Sequence, residues 1–561
     1  MAGRRITRPT IPTMRRLLAI VACLLVVGMV GSWLTWASPR SSAPVIALAL
    51  PRSIDPCMVT RLDEFRLVTA LFEPLIRLDA KTLQPQAGLA THWETNADQS
   101  VWTFHLDQRA RWSDGKPVTA LDMRRGLLRH LITQSPNAFY LDGLLAGSQT
   151  SATDLAERRT ILERDCGLLC PDARTLVVKL THPAPYLTAI LSLSAFVPLT
   201  EQHDRDDDAG RLQWTDPGTI IGNGPFRCTA YTPRHSYTFT PSATYGGAHP
   251  AGGAVHVAII DSPGTALRLY LSGEVDAVLM LPADAVGDLR RAQIPGLDQS
   301  TSLSTAFWRV RIVPRPKDKP EVTKALQHPL LRRALATGFD REMICQHLLQ
   351  GNAVSGTTFV PGALGNYLPY HAPIDVLKDN LEQARKDIAA AKADLGTLPV
   401  FELVAPSQPA ERQSIAELMA DQWLRNLGVQ TRLTILPQTE LRSREKAIDY
   451  DLSFAMWLGD FLDPTTFLDC FRIDGGANRT GYADPAYDAL LDQASASIGK
   501  ARWDALEAAE LRLVTAVPLI PLLHSACSFL VRPNLIGINA NPLEIVHFDS
   551  ISWASPTGEQ P

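Results

Sequence analysis

A recurring order of helix, glycine and strand constrains the fold of this chain more than any other feature. Residues 411–427 form an amphipathic helical pattern that stops at Gly428, and an apolar strand pattern follows over 429–436. Residues 265–271, Gly273 and a strand over 278–281 repeat this order. Helices that alternate with strands in this way predict an α/β fold. With 561 residues the chain is too long for one core, so two or three domains are expected.

The N-terminus has a different character from the rest of the chain. Five arginines between positions 4 and 16 precede an uncharged apolar run over residues 17–36. A helix of that length spans about 30 Å, the thickness of a bilayer core. The run is therefore a signal peptide or an uncleaved anchor, and Trp33 and Trp36 at its end favour the anchor. Either interpretation places the remainder of the chain outside the cytoplasm.

The charge of that remainder excludes some partners. Six arginines and no acidic residue precede position 44, so the exported part carries a net charge of about −10. A negative surface of this kind argues against binding to nucleic acid or to anionic lipid.

Motifs for catalysis and for metal binding are missing from the sequence. It contains no G-x-S-x-G, no H-E-x-x-H and no P-loop, so no catalytic residue, metal site or cofactor is predicted. Seven cysteines follow Cys23, and the odd number leaves at least one unpaired in an oxidising compartment. Cys166 and Cys170 form the only close pair, which is typical of a short loop or a disulfide rather than of zinc.

One acidic residue lies in an apolar environment that calls for an explanation. Asp460 sits within the largely apolar run 455–471, and no basic residue occurs within ten positions on either side. A carboxylate in apolar surroundings is costly unless a cation or a hydrogen-bond donor meets it. Asp463 precedes Pro464 and is assigned to a turn and a helix start instead. Asp460 is therefore the acid for which a cationic partner is sought.

Local patterns along the rest of the chain support the α/β prediction. Residues 101–106 alternate as a strand, and Thr119 with Asp122 forms a capping box at a helix start. Residues 148–175 lack periodicity and are predicted to be a loop or an inserted segment. Residues 201–210 are predicted to be a solvated acidic loop.

Several stretches resemble, in order, one known family. They are LFEPLIRL at 71–78, PQAGLATHWE at 85–94, WSDGKPVTALD at 112–122, IGNGPF at 221–226, LRRAL at 331–335, WLGDFLDP at 457–464 and the segment 518–533. Together they are similar to the substrate-binding proteins of peptide ABC importers, the oligopeptide, dipeptide and nickel-binding family 5. The resemblance covers residues 45 to about 550.

The resemblance implies a two-lobed periplasmic binding protein of type II with an extra inserted domain. Lobe I would comprise residues 44–78, 216–305 and 528–561, and the inserted domain residues 79–215. Lobe II would comprise residues 306–527, with residues 1–43 as the signal or anchor segment. The two crossings near 306 and 528 would form the hinge about which the lobes close.

The resemblance also implies a role for Asp460. An acid at this position in the family pairs with the α-ammonium of a bound peptide. Trp457 and Leu458 would offer backbone groups to an extended ligand, and Gly459 and Met456 complete the predicted site. Relatives commonly carry glycine at the position of Met456, so this side chain is expected to narrow the cleft or shift the ligand.

Four further residues are weaker candidates for the ligand site. Cys57 and Met58 would face the cleft from lobe I, although a core position fits them equally. His524 and Ser525 fall near a pocket segment of the relatives, and a lone histidine there is more often structural.

The predicted function is capture of short peptides by their free N-terminal amine and delivery to an inner-membrane ABC permease. The protein would act in the periplasm, as a monomer, possessing no nucleic-acid partner and tethered to the membrane if residues 17–36 are retained. Alternatives within the same fold are a nickel chelate, haem or murein peptide as ligand, or a membrane-tethered peptide sensor. A membrane-tethered hydrolase is a further alternative.

Overall fold

The computed structural model describes residues 43–204, 215–247, 250, 252–315, 319–373, 375–473 and 475–554. The predicted signal or anchor segment, with its apolar run 17–36, lies outside these residues, as do residues 205–210 of the predicted acidic loop. Within the described ranges, no helix has the length and apolar character needed to cross a bilayer.

Nineteen strands occur in the described part of the chain. In chain order they are β1 Val45–Leu48, β2 Ile76–Leu78, β3 Pro85–Ala87, β4 Ala90–Thr95, β5 Val101–Leu106, β6 Leu168–Asp172, β7 Thr175–Lys179, β8 Phe226–Thr232, β9 Ser236–Pro241, β10 Val255–Ile259, β11 Ala277–Val278, β12 Leu297–Val310, β13 Ala353–Ser355, β14 Phe401–Pro406, β15 Thr431–Leu436, β16 Leu452–Leu458, β17 Leu519–Val531, β18 Leu535–Ile536 and β19 Ser552–Trp553.

Fourteen α-helices accompany the strands in the same described ranges. They are α1 Leu62–Leu71, α2 Ala120–Thr133, α3 Leu155–Asp165, α4 Leu187–Leu191, α5 Pro263–Ser272, α6 Ala283–Arg291, α7 Pro320–Gln327, α8 Pro329–Thr337, α9 Leu381–Leu395, α10 Ala410–Leu427, α11 Gln438–Lys446, α12 Thr465–Leu468, α13 Pro485–Ser495 and α14 Gly499–Ala516. Shorter turns of other helical types include the 3-10 turn Ala138–Tyr140 and the π-helical turn Met343–Leu348.

One mixed sheet organises most of the molecule. Its strand order is β15-β14-β16-β12-β17-β11-β1-β10-β9-β8, and β13 pairs separately with β17. A second sheet of four strands, β4-β5-β7-β6, lies within the segment predicted to be an inserted domain. Helices such as α10 pack on the main sheet. This arrangement confirms the predicted α/β class.

The long strands β12 and β17 connect the two halves of the main sheet. They pair antiparallel along almost their whole length, with register shifts between Thr301 and Thr305 and between Ala306 and Phe307. One end of β17 belongs to a core built mainly from residues 46–279, which also includes Phe461 and residues between 529 and 551. Its other end belongs to a core built from residues between 306 and 523. The domain boundaries predicted near 306 and 528 stay a proposal, which this change of core along the strands supports.

Several local predictions agree with the structure. Thr119 accepts a hydrogen bond from the Asp122 amide and forms the predicted capping box at the start of α2. The strand predicted at 101–106 is β5, and α10 ends where Gly428 adopts a left-handed conformation with φ of 62°. Each agreement rests on a pattern that a few neighbouring residues determine.

Three predictions differ from the structure. The segment 148–175 was predicted to be a loop or an inserted segment, and the loop alternative is wrong, because the segment holds α3 and β6. Helix α3 buries only Arg158 and Leu162, so its sequence carries no apolar periodicity to indicate a helix. The strand predicted at 278–281 is shorter and begins one residue earlier, because β11 comprises only Ala277 and Val278. Cys166 and Cys170, for which a short loop or a disulfide was predicted, form no disulfide, and no disulfide joins any of the seven cysteines in the described residues.

Candidate functional site

The end of β16 positions Asp460. β16 pairs antiparallel with β12, from Val310 opposite Leu452 to Ser304 opposite Leu458, and the chain leaves the sheet at Gly459. Thr466 then fixes the turn, because its hydroxyl accepts a hydrogen bond from the Asp460 amide at 3.1 Å. Its carbonyl also accepts one from the Trp457 indole at 2.7 Å. These bonds hold the carboxylate at the rim of the sheet.

Asp460 is half-buried and has no cationic partner in the part of the chain that the structure describes. Among the described residues, the Tyr140 hydroxyl hydrogen-bonds to the carboxylate from the 3-10 turn Ala138–Tyr140. Burial raises the pKa of Asp460, and the Tyr140 hydrogen bond offsets part of that rise. Burial and the nearby carboxylate both raise the pKa of Tyr140, so the phenol stays protonated and donates. The site therefore has unused capacity for a cation.

Two cavities meet at Asp460. The larger, here called the lateral cavity, has a volume of about 740 Å³ and is bounded by Tyr140, Tyr186, Trp457, Asp460 and Phe461, among others. The smaller, here called the cleft cavity, has a volume of about 410 Å³. It lies between the segment 458–461 on one side and α1 with residues 542–547 on the other, and its lining is mostly apolar. A ligand bound at Asp460 can therefore extend into either space.

Aromatic rings pack around the carboxylate. Phe461 stacks on Tyr186 with 5.7 Å between ring centroids and meets Tyr140 edge-on at 6.3 Å. Phe461 is thus packed against the segment 138–191, which is distant in sequence. The rings exclude water from one side of Asp460, which accounts for the burial that raises its pKa.

An unpaired strand edge adjoins Asp460. β14 pairs with β16 only as far as Ser453, and in the described residues no strand covers the same edge beyond that point. The Gly459 amide donates to Leu303 on β12 at 2.7 Å. Since backbone groups alternate along a strand, those of Leu458 and Met456 point away from β12. An extended chain can hydrogen-bond to this edge, beside side chains that are 47% exposed at Leu458 and 39% exposed at Met456.

The weaker candidates lie away from these cavities. Cys57 is buried in the core of residues 46–279, and neither it nor the exposed Met58 lines the lateral or cleft cavity. His524 is buried in β17, where its Nδ1 lies 3.0 Å from the Thr305 hydroxyl, and burial lowers its pKa to about 4. Ser525 pairs with β13 in the strand ladder. Their predicted ligand roles stay predictions.

Tyr140, Tyr186 and Phe461 were not predicted as site residues. Phe461 directly follows Asp460, so its apolar character was a usable signal. Tyr140 and Tyr186 reach the site through tertiary structure alone, and no local pattern marks them. As for metals, no cluster of three or more His, Cys, Asp or Glu residues suited to an ion occurs among the described residues.

The sequence was compared with models of protein families and with known proteins. Residues 84–479 match the model of the bacterial extracellular solute-binding proteins, family 5 Middle. The periplasmic murein peptide-binding protein MppA of Escherichia coli is 27% identical over 549 residues, which cover 95% of this chain and 98% of the relative. The oligopeptide-binding protein OppA of Bacillus subtilis is 26% identical over 504 residues, covering 87% and 88% of the two chains.

Solved structures show the same fold. The unliganded open form of the murein tripeptide-binding protein MppA superposes with a TM-score of 0.78 at 24% identity, covering 92% of this chain and 99% of that one. Haemophilus influenzae OppA in complex with the peptide RPPGFSPFR gives a TM-score of 0.70 at 22% identity, covering 92% and 100%. These likenesses confirm the predicted two-lobed α/β fold.

Proposed function

We propose, because the chain belongs to the bacterial extracellular solute-binding proteins of family 5, that it captures short peptides by their free N-terminal amine and delivers them to an ABC permease. Proteins of this family bind solutes, so the chain is a binding protein rather than an enzyme, and the hydrolase alternative is set aside. Relatives named for oligopeptides, dipeptides and murein peptides support a peptide as the ligand.

The observation that carries the proposal is a half-buried carboxylate without a cation. An ammonium group at Asp460 would supply the charge that Tyr140 cannot supply, because a phenol donates only a neutral hydrogen bond. A hydrogen bond between charged groups contributes about 1.5–3 kcal/mol net. A ligand without the amine would leave the acid desolvated and unpaired, so the same group also provides selectivity.

The open edge of β16 supports an extended peptide as the bearer of that amine. Backbone groups of Leu458 and Met456 are directed to the side that no described strand covers. A peptide that adds to this edge would be held through its main chain, which is common to all sequences. Trp457 and Gly459 hold the turn that presents Asp460 at the end of this edge.

Further parts of the proposal concern location and assembly. The described residues contain no cluster suited to a metal ion, and Asp460 suits an amine better than a bare metal, so peptide is preferred over nickel chelate. We place the protein in the periplasm as a monomer, held at the inner membrane if residues 17–36 are retained.

Calorimetry with paired ligands tests the proposal. Short peptides with a free amine should bind the full-length chain, and their N-acetylated forms should bind about 10- to 100-fold more weakly. Asp460→Asn should reduce affinity for free peptides by a similar factor. Asp142→Asn is the matched control, because this exposed acid lines the same lateral cavity. The affinity of this variant for free peptides should stay unchanged. Equal binding of acetylated and free peptides by the wild type would refute the assignment.

A further inference from the structure

A hydrogen-bonded contact joins the two halves of the main sheet beside the long strands β12 and β17. Arg290, near the end of α6, donates to the Gln350 carbonyl at 3.0 Å and to the Gly351 carbonyl at 3.2 Å. The same guanidinium donates to the side chain of Gln299 on β12. Arg290 thus connects α6 with the turn that follows the π-helical turn Met343–Leu348. This contact is here called the latch.

Two glycines let the two sides of the latch approach closely. A Cβ at Gly287 on α6 would lie 2.6 Å from the Gln350 Cβ, and one at Gly351 would lie 2.5 Å from the Arg290 guanidinium. Gln350 and Gly351 both adopt left-handed backbone conformations, with φ of 51° and 75°. A residue other than glycine keeps such a conformation where its surroundings fix it. The bonds from Arg290 therefore help to hold this turn.

In the half of the sheet that contains β1, α6 and Asp460 lie on opposite faces. Leu289 of α6 belongs to the same core as Ala47 of β1, whereas α1 and Phe461 belong to the same core as Ile46. Successive side chains of a strand point to opposite faces, so α6 lies on one face and α1 with Phe461 on the other. Phe461 directly follows Asp460, and the cleft cavity adjoins α1. The cleft cavity and α6 are therefore on opposite faces.

The same alternation holds in the half of the sheet that contains β16. The π-helical turn that leads to the latch shares a core with Phe454, whereas Leu462, just beyond Asp460, shares a core with Ala455. Phe454 and Ala455 are neighbours on β16, so their side chains point to opposite faces. Both sides of the latch therefore lie on the face of the sheet away from the cleft cavity.

We propose that the latch opposes closure of the two lobes and thereby lowers the affinity for any ligand of the cleft. Bending about β12 and β17 that brings the cleft elements together separates the elements on the other face. Bonds from Arg290 that break on closure reduce the fraction of closed molecules, and the apparent affinity falls by the same factor. The latch goes beyond the proposed function, because it does not depend on which ligand the cleft binds.

Crosslinking tests the latch without a ligand. Met280→Cys and Leu458→Cys place two thiols on the lining of the cleft cavity, one from each half of the sheet, and a short bis-maleimide joins them. The rate of joining in the full-length chain follows the fraction of closed molecules, after subtraction of the rate in the chain without the two added cysteines. Arg290→Gln removes the donors, and Gly287→Leu pushes the turn away from α6. Each should raise the rate about 3- to 10-fold.

Calorimetry with trialanine gives a second readout. R290Q and G287L, without the added cysteines, should bind trialanine about 3- to 10-fold more tightly than the wild type. Arg268→Gln is the matched control for both experiments. Arg268 lies on α5, which shares the core of α6, and its side chain hydrogen-bonds to Thr265 of its own helix at 2.9 Å. R268Q should leave the crosslinking rate and the affinity unchanged.

The outcomes separate the latch from the proposed function. A crosslinking rate that is unchanged or lower in R290Q or in G287L would overturn the latch, as would an unchanged or weaker affinity for trialanine in R290Q. An equal increase in R268Q would also overturn it, because loss of any positive charge on this face would then account for the effect. Failure of the wild type to bind peptides would refute the proposed function alone, and the crosslinking rates would still decide the role of the latch.

Discussion

Replacing Phe461 by alanine tests whether ring packing joins the segment 138–191 to the end of β16. Phe461 is only 7% exposed and contacts Tyr186 and Tyr140 at centroid distances of 5.7 and 6.3 Å. The substitution removes both ring contacts and opens a gap beside Asp460. We expect loss of stability and weaker peptide binding together, because Tyr140 would lose the ring that holds its hydroxyl toward the carboxylate.

The expected magnitude follows from this environment. Truncation of a buried phenylalanine to alanine costs about 3–5 kcal/mol, including about 0.5–1.5 kcal/mol for each aromatic pair. Phe461 borders both the lateral and the cleft cavity, so water can reach part of the space that the ring leaves. We therefore expect the lower end of that range, a decrease of about 3 kcal/mol in the free energy of unfolding.

Urea denaturation followed by tryptophan fluorescence measures the change. Phe139→Ala is the matched control, because this ring also lies beside Tyr140 but is 63% exposed. The control should lose less than about 1 kcal/mol. A loss below about 1 kcal/mol for Phe461→Ala, or equal losses for both variants, would contradict the view that Phe461 links the two segments.

Two more predictions concern the same loop. Because burial raises the pKa of Asp460 and only the ionised acid pairs with an ammonium, peptide affinity should be constant above that pKa and fall about tenfold per pH unit below it. Calorimetry at several pH values checks this, and a pH-independent affinity would contradict it. Gly459→Ala should cost about 1–3 kcal/mol in urea denaturation and weaken binding. Its new Cβ would lie 2.7 Å from the Phe467 ring and 2.8 Å from Leu303, both buried, whereas Gly476→Ala meets open space and should be neutral.

The parts of the fold that sequence patterns predict are those determined locally. The capping box of Thr119 and Asp122 and the helix stop at Gly428 depend on hydrogen bonds within a few residues. Helix α3 escapes prediction because it lies on the surface and buries only two side chains. The pairing of β12 with β17 joins residues more than two hundred positions apart, and no single-sequence pattern encodes such a partner.

The residues of the candidate site also fall into two groups, those that the sequence indicates and those that only the folded chain brings together. The isolation of Asp460 from basic residues is visible in the sequence, and in three dimensions no described cation reaches it. Tyr140 and Tyr186 become relevant only when the chain folds, because both approach the end of β16 from the distant segment 138–191. Sequence reasoning can therefore identify an acid that needs a partner, but not the groups that surround it.

Two acids in one loop show what distinguishes a ligand-binding carboxylate from a structural one. Asp463 is 4% exposed, and it pairs permanently with the buried Arg502 at 3.0 Å and accepts hydrogen bonds from Thr465. Removing that arginine would strand a buried charge, at a cost of about 3–5 kcal/mol. Asp460 is only half-buried, and its carboxylate accepts a neutral hydrogen bond from Tyr140 instead of forming an ion pair with any described residue. A more exposed acid would gain little from an ammonium, since surface ion pairs contribute about 0–1 kcal/mol. Intermediate burial thus keeps the cost of an unpaired Asp460 carboxylate low, and it still allows an ion pair with a cationic ligand to contribute to binding.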